Sequence, residues 1–118
     1  MTDTVRHAES GTAGWRDAAR AIQSEHLDHG DMYALGGELS ETLRALQRAA
    51  RALAEQVSNY PVGRELGDDE GAPPADRLDE ARVALDDAHR RLFQADRAVQ
   101  EYQSAIGHIG LADTTTED

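Results

Sequence analysis

The chain has no cysteine, which excludes disulfides, thiolate metal sites and thiol nucleophiles and leaves its redox compartment open. It has no lysine either: all twelve basic residues are arginine. With heavy use of Ala, Asp and Gly, that bias is what a GC-rich genome produces, and it reads as ancestry before mechanism. Proline is limited to three residues and phenylalanine to one. No run approaches the ~18 apolar residues of a membrane span, and the N-terminus lacks the apolar core of a signal peptide. A cytoplasmic chain with no membrane partner is expected.

Bases are outnumbered. Twenty-three acids against twelve arginines give a net charge of -11, which disfavours direct binding to nucleic acid or an anionic membrane. The imbalance is uneven, with nine acids and six bases over 1–60 (net -3) and fourteen and six over 61–118 (net -8).

About half of the chain is Ala, Glu, Leu, Arg and Gln, the composition of an all-α protein, and 118 residues make one domain at most. The organising stretch is 78–109. There Leu78, Ala81, Leu85, Ala88, Leu92, Ala95, Val99, Tyr102, Ile106 and Ile109 recur at alternating spacings of three and four, a heptad seam without a polar interruption. A second seam joins Met32, Gly36, Leu39, Leu43, Leu46, Ala50, Leu53, Val57 and Tyr60. Between them lies PVGRELGDDEGAPPAD, a loop by its prolines and glycines and long for a helix connection.

The organisation expected is a flexible tail over 1–14, a helical domain over 15–110 and a disordered acidic tail over 111–118. Helices are expected over about 15–27, 32–60 and 75–109, with a loop at 61–74. Trp15, Ala18, Ala19 and Ile22 share a face of the first helix. Gly30 is read as a stop, and Asp31 as the N-cap of the second helix.

In an antiparallel hairpin, position a of one helix packs on position d of the other. Folding the chain back at the loop pairs Tyr60 with Leu78, Leu53 with Leu85, Leu46 with Leu92, Leu39 with Val99 and Gly36 with Tyr102, where the glycine makes room for a ring. A slip of seven residues preserves the same pattern. The e edge (Ser40, Gln47, Arg82, His89, Asp96, Gln103) reads as solvated. The g edge and adjoining c positions (Thr42, Ala45, Ala49, Ala52, Ala84, Ala98, Ala105) form a small-residue groove shaped to receive another helix. An Ala methyl contributes only about 0.8 kcal/mol on burial, so a seam nearly half Ala needs additional cover. The first helix supplies it in a three-helix bundle, and a second hairpin supplies it in a four-helix dimer.

Candidate chemistry is sparse. His26 and His29, with Glu25, Asp28 and Asp31 nearby, are the candidates for a metal, but their spacing is unspecific and falls at a helix end. They read first as helix-terminus polar residues, and no cofactor is expected. The acid run Asp68-Asp69-Glu70 lacks the alternating pattern of a calcium loop. Neither a phosphate loop nor a Ser-His-Asp arrangement is present, so the chain is read as no enzyme. Phe93, the only Phe, and Val83 lie off the seam, and Phe93 is the first residue to test as a partner contact.

At 37–57 (GELSETLRALQRAARALAEQV) and 105–111 (AIGHIGL) the chain resembles small helical-hairpin proteins frequent in actinobacterial genomes, a likeness that implies no activity. It is similar in size, acidity and architecture to the WXG100 family of secreted hairpins. Its turn holds no Trp-x-Gly, Trp15 is followed by Arg16-Asp17 well before the hairpin, and Tyr102 is followed four residues on by Ile106 rather than an acid.

The leading expectation is a non-enzymatic helical interaction module, a homodimer or the receiver of a partner helix, with contacts at Trp15, Ala49, Ala52, Ala84, Phe93 and Ala98. Two alternatives are an acidic decoy of a basic, nucleic-acid-binding protein, using Asp68, Asp69, Glu70, Asp79, Glu80, Asp86 and Asp87, and a WXG100-like secreted hairpin.

Overall fold

The computed structural model describes residues 2–110, in which three helices follow one another: α1 (Asp3–Ser24), α2 (His29–Asn59) and α3 (Pro74–Gly107). Among the described residues there is no strand, so the fold is all-α as the periodicity requires. The tail expected over 111–118 lies outside the described residues. The chain divides into two compact units, 1–32 and 33–118.

In the first unit, α1 starts twelve residues earlier than the expected position 15, at Asp3, and takes up most of the tail expected over 1–14. Thr2 is the reason the helix has a defined start. Its hydroxyl accepts a hydrogen bond from the Val5 amide at 3.3 Å, and Asp3 places a negative charge in the first turn. Gly11 and Gly14 weaken the helix by about 1 kcal/mol each relative to Ala, but the stretch contains no proline to break it. No residue of α1 is buried; Trp15, Ala18 and Ala21 are half-buried, while Ala19 and Ile22 are exposed.

The break after α1 is shorter than expected, because Asp28 rather than Asp31 caps α2. The Asp31 amide donates to Asp28 Oδ1 at 2.7 Å, and the Met32 amide donates to the Asp28 carbonyl at 3.1 Å. Gly30, expected as a stop, therefore sits in the first turn of α2.

In the second unit, α2 and α3 form an antiparallel hairpin in the expected register. A Cβ built on Gly36 would lie 2.8 Å from Tyr102 Cε2, so the glycine does make room for the ring. Further along, Ser40 meets Asp96, and at the loop end Val57 and Leu78 line the same cleft.

What differs is the face. The buried residues of α2 are Gly36, Ser40, Ala50 and Ala54, and the one buried residue of α3 is Asp96. Leu43, Gln47 and Val57 on α2, and Leu78, Arg82, Leu85, His89, Leu92, Val99 and Gln103 on α3, are half-buried. The helices thus meet chiefly along positions a and e, with Ala88 and Ala95 of the α3 d row half-buried beside that contact. The e edge expected to be solvated is inside, and the leucine row at d is rotated onto the flank. Close approach explains this: two backbones draw nearest where side chains are smallest, and Gly36, Ser40, Ala50 and Ala54 are the small residues of α2.

The connection at 60–73 is organised by one carboxylate. Asp68 Oδ2 accepts from the Glu70 and Ala72 amides at 2.9 and 3.0 Å, and Oδ1 accepts from Arg77 Nε at 2.9 Å in the first turns of α3. The Asp68 side chain is only 8% exposed. These amide and guanidinium donors, led by the Ala72 amide, hold its pKa below the ordinary carboxylate value. Gly63 and Gly71 take positive φ angles of 72° and 80°, which the turns require.

Candidate interaction surface

Because the hairpin closes on a and e, its two flanks differ in chemistry. One flank carries the b positions and is polar. Asp96, 6% exposed, stands at its centre. Its Oδ1 accepts from Ser40 Oγ at 2.6 Å, and its Oδ2 accepts from Arg44 Nε at 3.2 Å and from Gln100 Nε2 at 3.1 Å. The Ser40 hydroxyl, with Arg44 and Gln100 behind it, holds the Asp96 carboxyl below its ordinary pKa against the opposing effect of burial. Gln103 Nε2 adds a bond from α3 to the Tyr33 carbonyl of α2 at 3.0 Å.

Beside this network an open cleft of about 540 Å³ is lined by Tyr33, Ser40, Arg44, Gln100, Gln103 and His108, among others. Gln47 Nε2, on the same e row, is buried without a hydrogen-bond partner among the described residues.

The other flank carries the d and g positions and is apolar. Leu39, Leu46, Leu53 and Tyr60 run along α2 at 38%, 46%, 53% and 48% exposure. Opposite them on α3 runs the small row Ala81, Ala88 and Ala95, ending at Tyr102. Ala49, Ala52, Ala84, Ala98 and Ala105 border these rows and are exposed. On the d and g rows the only charged residues are Arg77, tied to Asp68, and Arg91, tied to Asp87, in a chain whose residues are 30% charged.

No family model, curated protein or solved structure matches the chain.

The candidate contact residues therefore divide. Ala49, Ala52, Ala84 and Ala98 lie on the apolar flank. Phe93 is 51% exposed, but at 100° per residue it points about 180° away from Ala84 around α3, toward the polar flank. Trp15 belongs to α1, in the other unit, where it is half-buried. The residues that sequence reasoning missed are the leucines, which it placed inside the hairpin. The available signal was that two helices cannot enclose a, d and e rows at once, and that Ser40 and Asp96 on the e rows, with Arg44 and Gln100 at adjoining b positions, are mutually complementary side chains.

His26 lies between α1 and α2, and His29 is the first residue of α2. Among the described residues no three His, Cys, Asp or Glu side chains come together as metal ligands. The acids assigned to a decoy surface are largely engaged within the chain. Arg77 pairs with Asp68, Glu70 and Glu80, Arg82 with Asp79 and Asp86, and Arg90 and Arg91 with Asp87. Asp87 is held below its ordinary pKa by Arg90 first and Arg91 second, and Asp79 and Asp86 hold the Arg82 guanidinium above its own. No helix of the described residues is long and apolar enough to cross a membrane.

Proposed function

We propose that this chain is a non-enzymatic protein–protein interaction module of the cytoplasm, and that the apolar flank of the α2–α3 hairpin is its working surface. One observation carries the reading: a continuous row of three leucines and a tyrosine stands a third to a half exposed beside exposed alanines, nearly without charge. Isolated exposed apolar residues are ordinary, but a contiguous row of this length marks a contact surface. The hairpin itself has little interior: among the described residues Ala50 and Ala54 are the only buried apolar side chains. Cover over the leucine row adds the burial that the hairpin lacks, at roughly 1.5–3 kcal/mol per large side chain.

Photo-crosslinking in the producing cell tests this. A photoreactive phenylalanine analogue at position 46 should give a protein adduct, and the same analogue at position 83, an exposed residue facing away from the row, should give none. Absence of an adduct at 46 would remove the proposal.

A further inference from the structure

The apolar flank has a ridge and a furrow side by side, and the geometry points to a second copy of this chain as its occupant, seated with each leucine ridge in the other copy's alanine furrow. This rests on the reading of the flank as a contact surface and names what covers it. The ridge is Leu39, Leu46 and Leu53 on α2, and the furrow is Ala81, Ala88 and Ala95 on α3.

The register fixed by Gly36 against Tyr102 places Leu46 level with Leu92, midway between Ala88 and Ala95. It likewise places Leu53 between the levels of Ala81 and Ala88, and Leu39 between those of Ala95 and Tyr102. A two-fold axis parallel to the helices, lying in the plane of the flank, carries α2 of one copy over α3 of the other without changing these levels. Leu46 and Leu53 then each drop between two alanines, and Leu39 between Ala95 and the Tyr102 ring, the interdigitation that knobs-into-holes packing requires. All neighbouring helices in the resulting four-helix bundle run antiparallel. The other face-to-face axis, perpendicular to the helices, stacks leucine on leucine and leaves the furrows empty.

Charge and area agree with this occupant. Two chains of net charge -11 repel at long range, yet the d and g rows bring no acid to the centre of the contact. From Tyr33 to Tyr60 the hairpin rises about 40 Å, and two helices about 9 Å apart give a flank of roughly 700–800 Å² per copy. That is the size at which specific protein–protein contacts are stable.

The test uses the full-length chain, whose lack of cysteine makes a clean background. Chains carrying Leu46→Cys are mixed with chains carrying Ala95→Cys and oxidised. The 46–95 disulfide between chains should exceed both the 46–46 and the 95–95 products by at least several-fold. Predominance of 46–46 would overturn the arrangement.

Sedimentation equilibrium supplies the second measurement. Wild type and Phe93→Glu should have twice the chain mass at ~50 µM. Leu46→Glu should have the single mass with unchanged helical circular dichroism, since Leu46 lies outside the a/e contact. A wild-type chain monomeric to ~100 µM would overturn the second copy as occupant. Photo-crosslinking at position 46 then separates the two failures: an adduct with a different protein keeps the contact surface and rejects the second copy, and no adduct rejects both.

Discussion

Gly36 and Gly37 are adjacent, and their environments predict opposite responses to a side chain. A Cβ on Gly36 would meet the Tyr102 ring at 2.8 Å and Gln103 Oε1 at 2.9 Å, whereas one on Gly37 would find the Gln103 amide no nearer than 3.4 Å, at Nε2. Gly37→Ala should therefore raise stability by about 0.5–1 kcal/mol through helix propensity alone. Gly36→Leu should lower it by about 1–3 kcal/mol through overpacking. Urea unfolding of the two variants reads both signs.

Asp96 gives the second residue-scale prediction. Asp96→Ala removes a carboxylate bonded to Ser40, Arg44 and Gln100 and leaves the buried Ser40 hydroxyl without its acceptor. The expected cost is about 2 kcal/mol, from the value of hydrogen bonds to a charged group. The pH dependence follows from the direction of the shift. The folded-state pKa is depressed, so this stability is fully present above the unfolded value of about 3.9 and is lost as pH falls through the folded value. Thermal melts from pH 6 down to pH 2 should show the acid loss blunted in Asp96→Asn relative to wild type.

At the scale of elements, the spacing of Leu78 through Ile106 fixed the length and direction of α3 because an uninterrupted three-four repeat is only compatible with one helix. The antiparallel register was legible for a comparable reason, as Tyr102 needs a gap and Gly36 is the gap. The contact face was not legible. A heptad pattern marks every apolar row, and nothing in it says which row a single partner covers. Ser40, Arg44, Asp96 and Gln100 decide that choice, and their mutual fit emerges only once the register is known. The start of α1 was missed because a glycine-containing polar stretch looks like a tail, whereas Thr2 caps it as a helix.

The loop gives the prediction proper to this scale. A connection this long is ordinarily mobile, but Asp68 binds two of its amides and Arg77. Asp68→Ala should speed tryptic cleavage after Arg64 several-fold while leaving the circular dichroism of the helices unchanged. Equal cleavage rates would show that the clasp does not hold the loop.

For the molecule as a whole, surface charge is largely handled internally. Arg77, Arg82, Arg90 and Arg91 each lie against carboxylates of the same helix, so the excess of acids is spread along exposed faces and is sparse on the apolar flank. Individual exposed pairs of this kind contribute little to stability. Their consequence is for association: they leave one side of an acidic molecule electrically quiet. Phe93, expected as a partner contact off the seam, and the groove alanines lie on opposite flanks because a hairpin closed along a and e separates b from d and g.

The buried carboxylate also bears on translation along the hairpin axis. Hydrophobic rows with a seven-residue repeat are indifferent to sliding by one repeat, much as a rack accepts its pinion at any tooth. Asp96 is a single notch on that rack. Moved by seven residues toward the start of α2, it would exchange Ser40 and Arg44 for Tyr33 and Gly37, which bring no cation; moved the other way it would meet Gln47 and Arg51 but carry the Tyr102 ring from Gly36 onto Leu43, so notch and gap together leave the two helices one resting place rather than a ladder of near-equivalent ones.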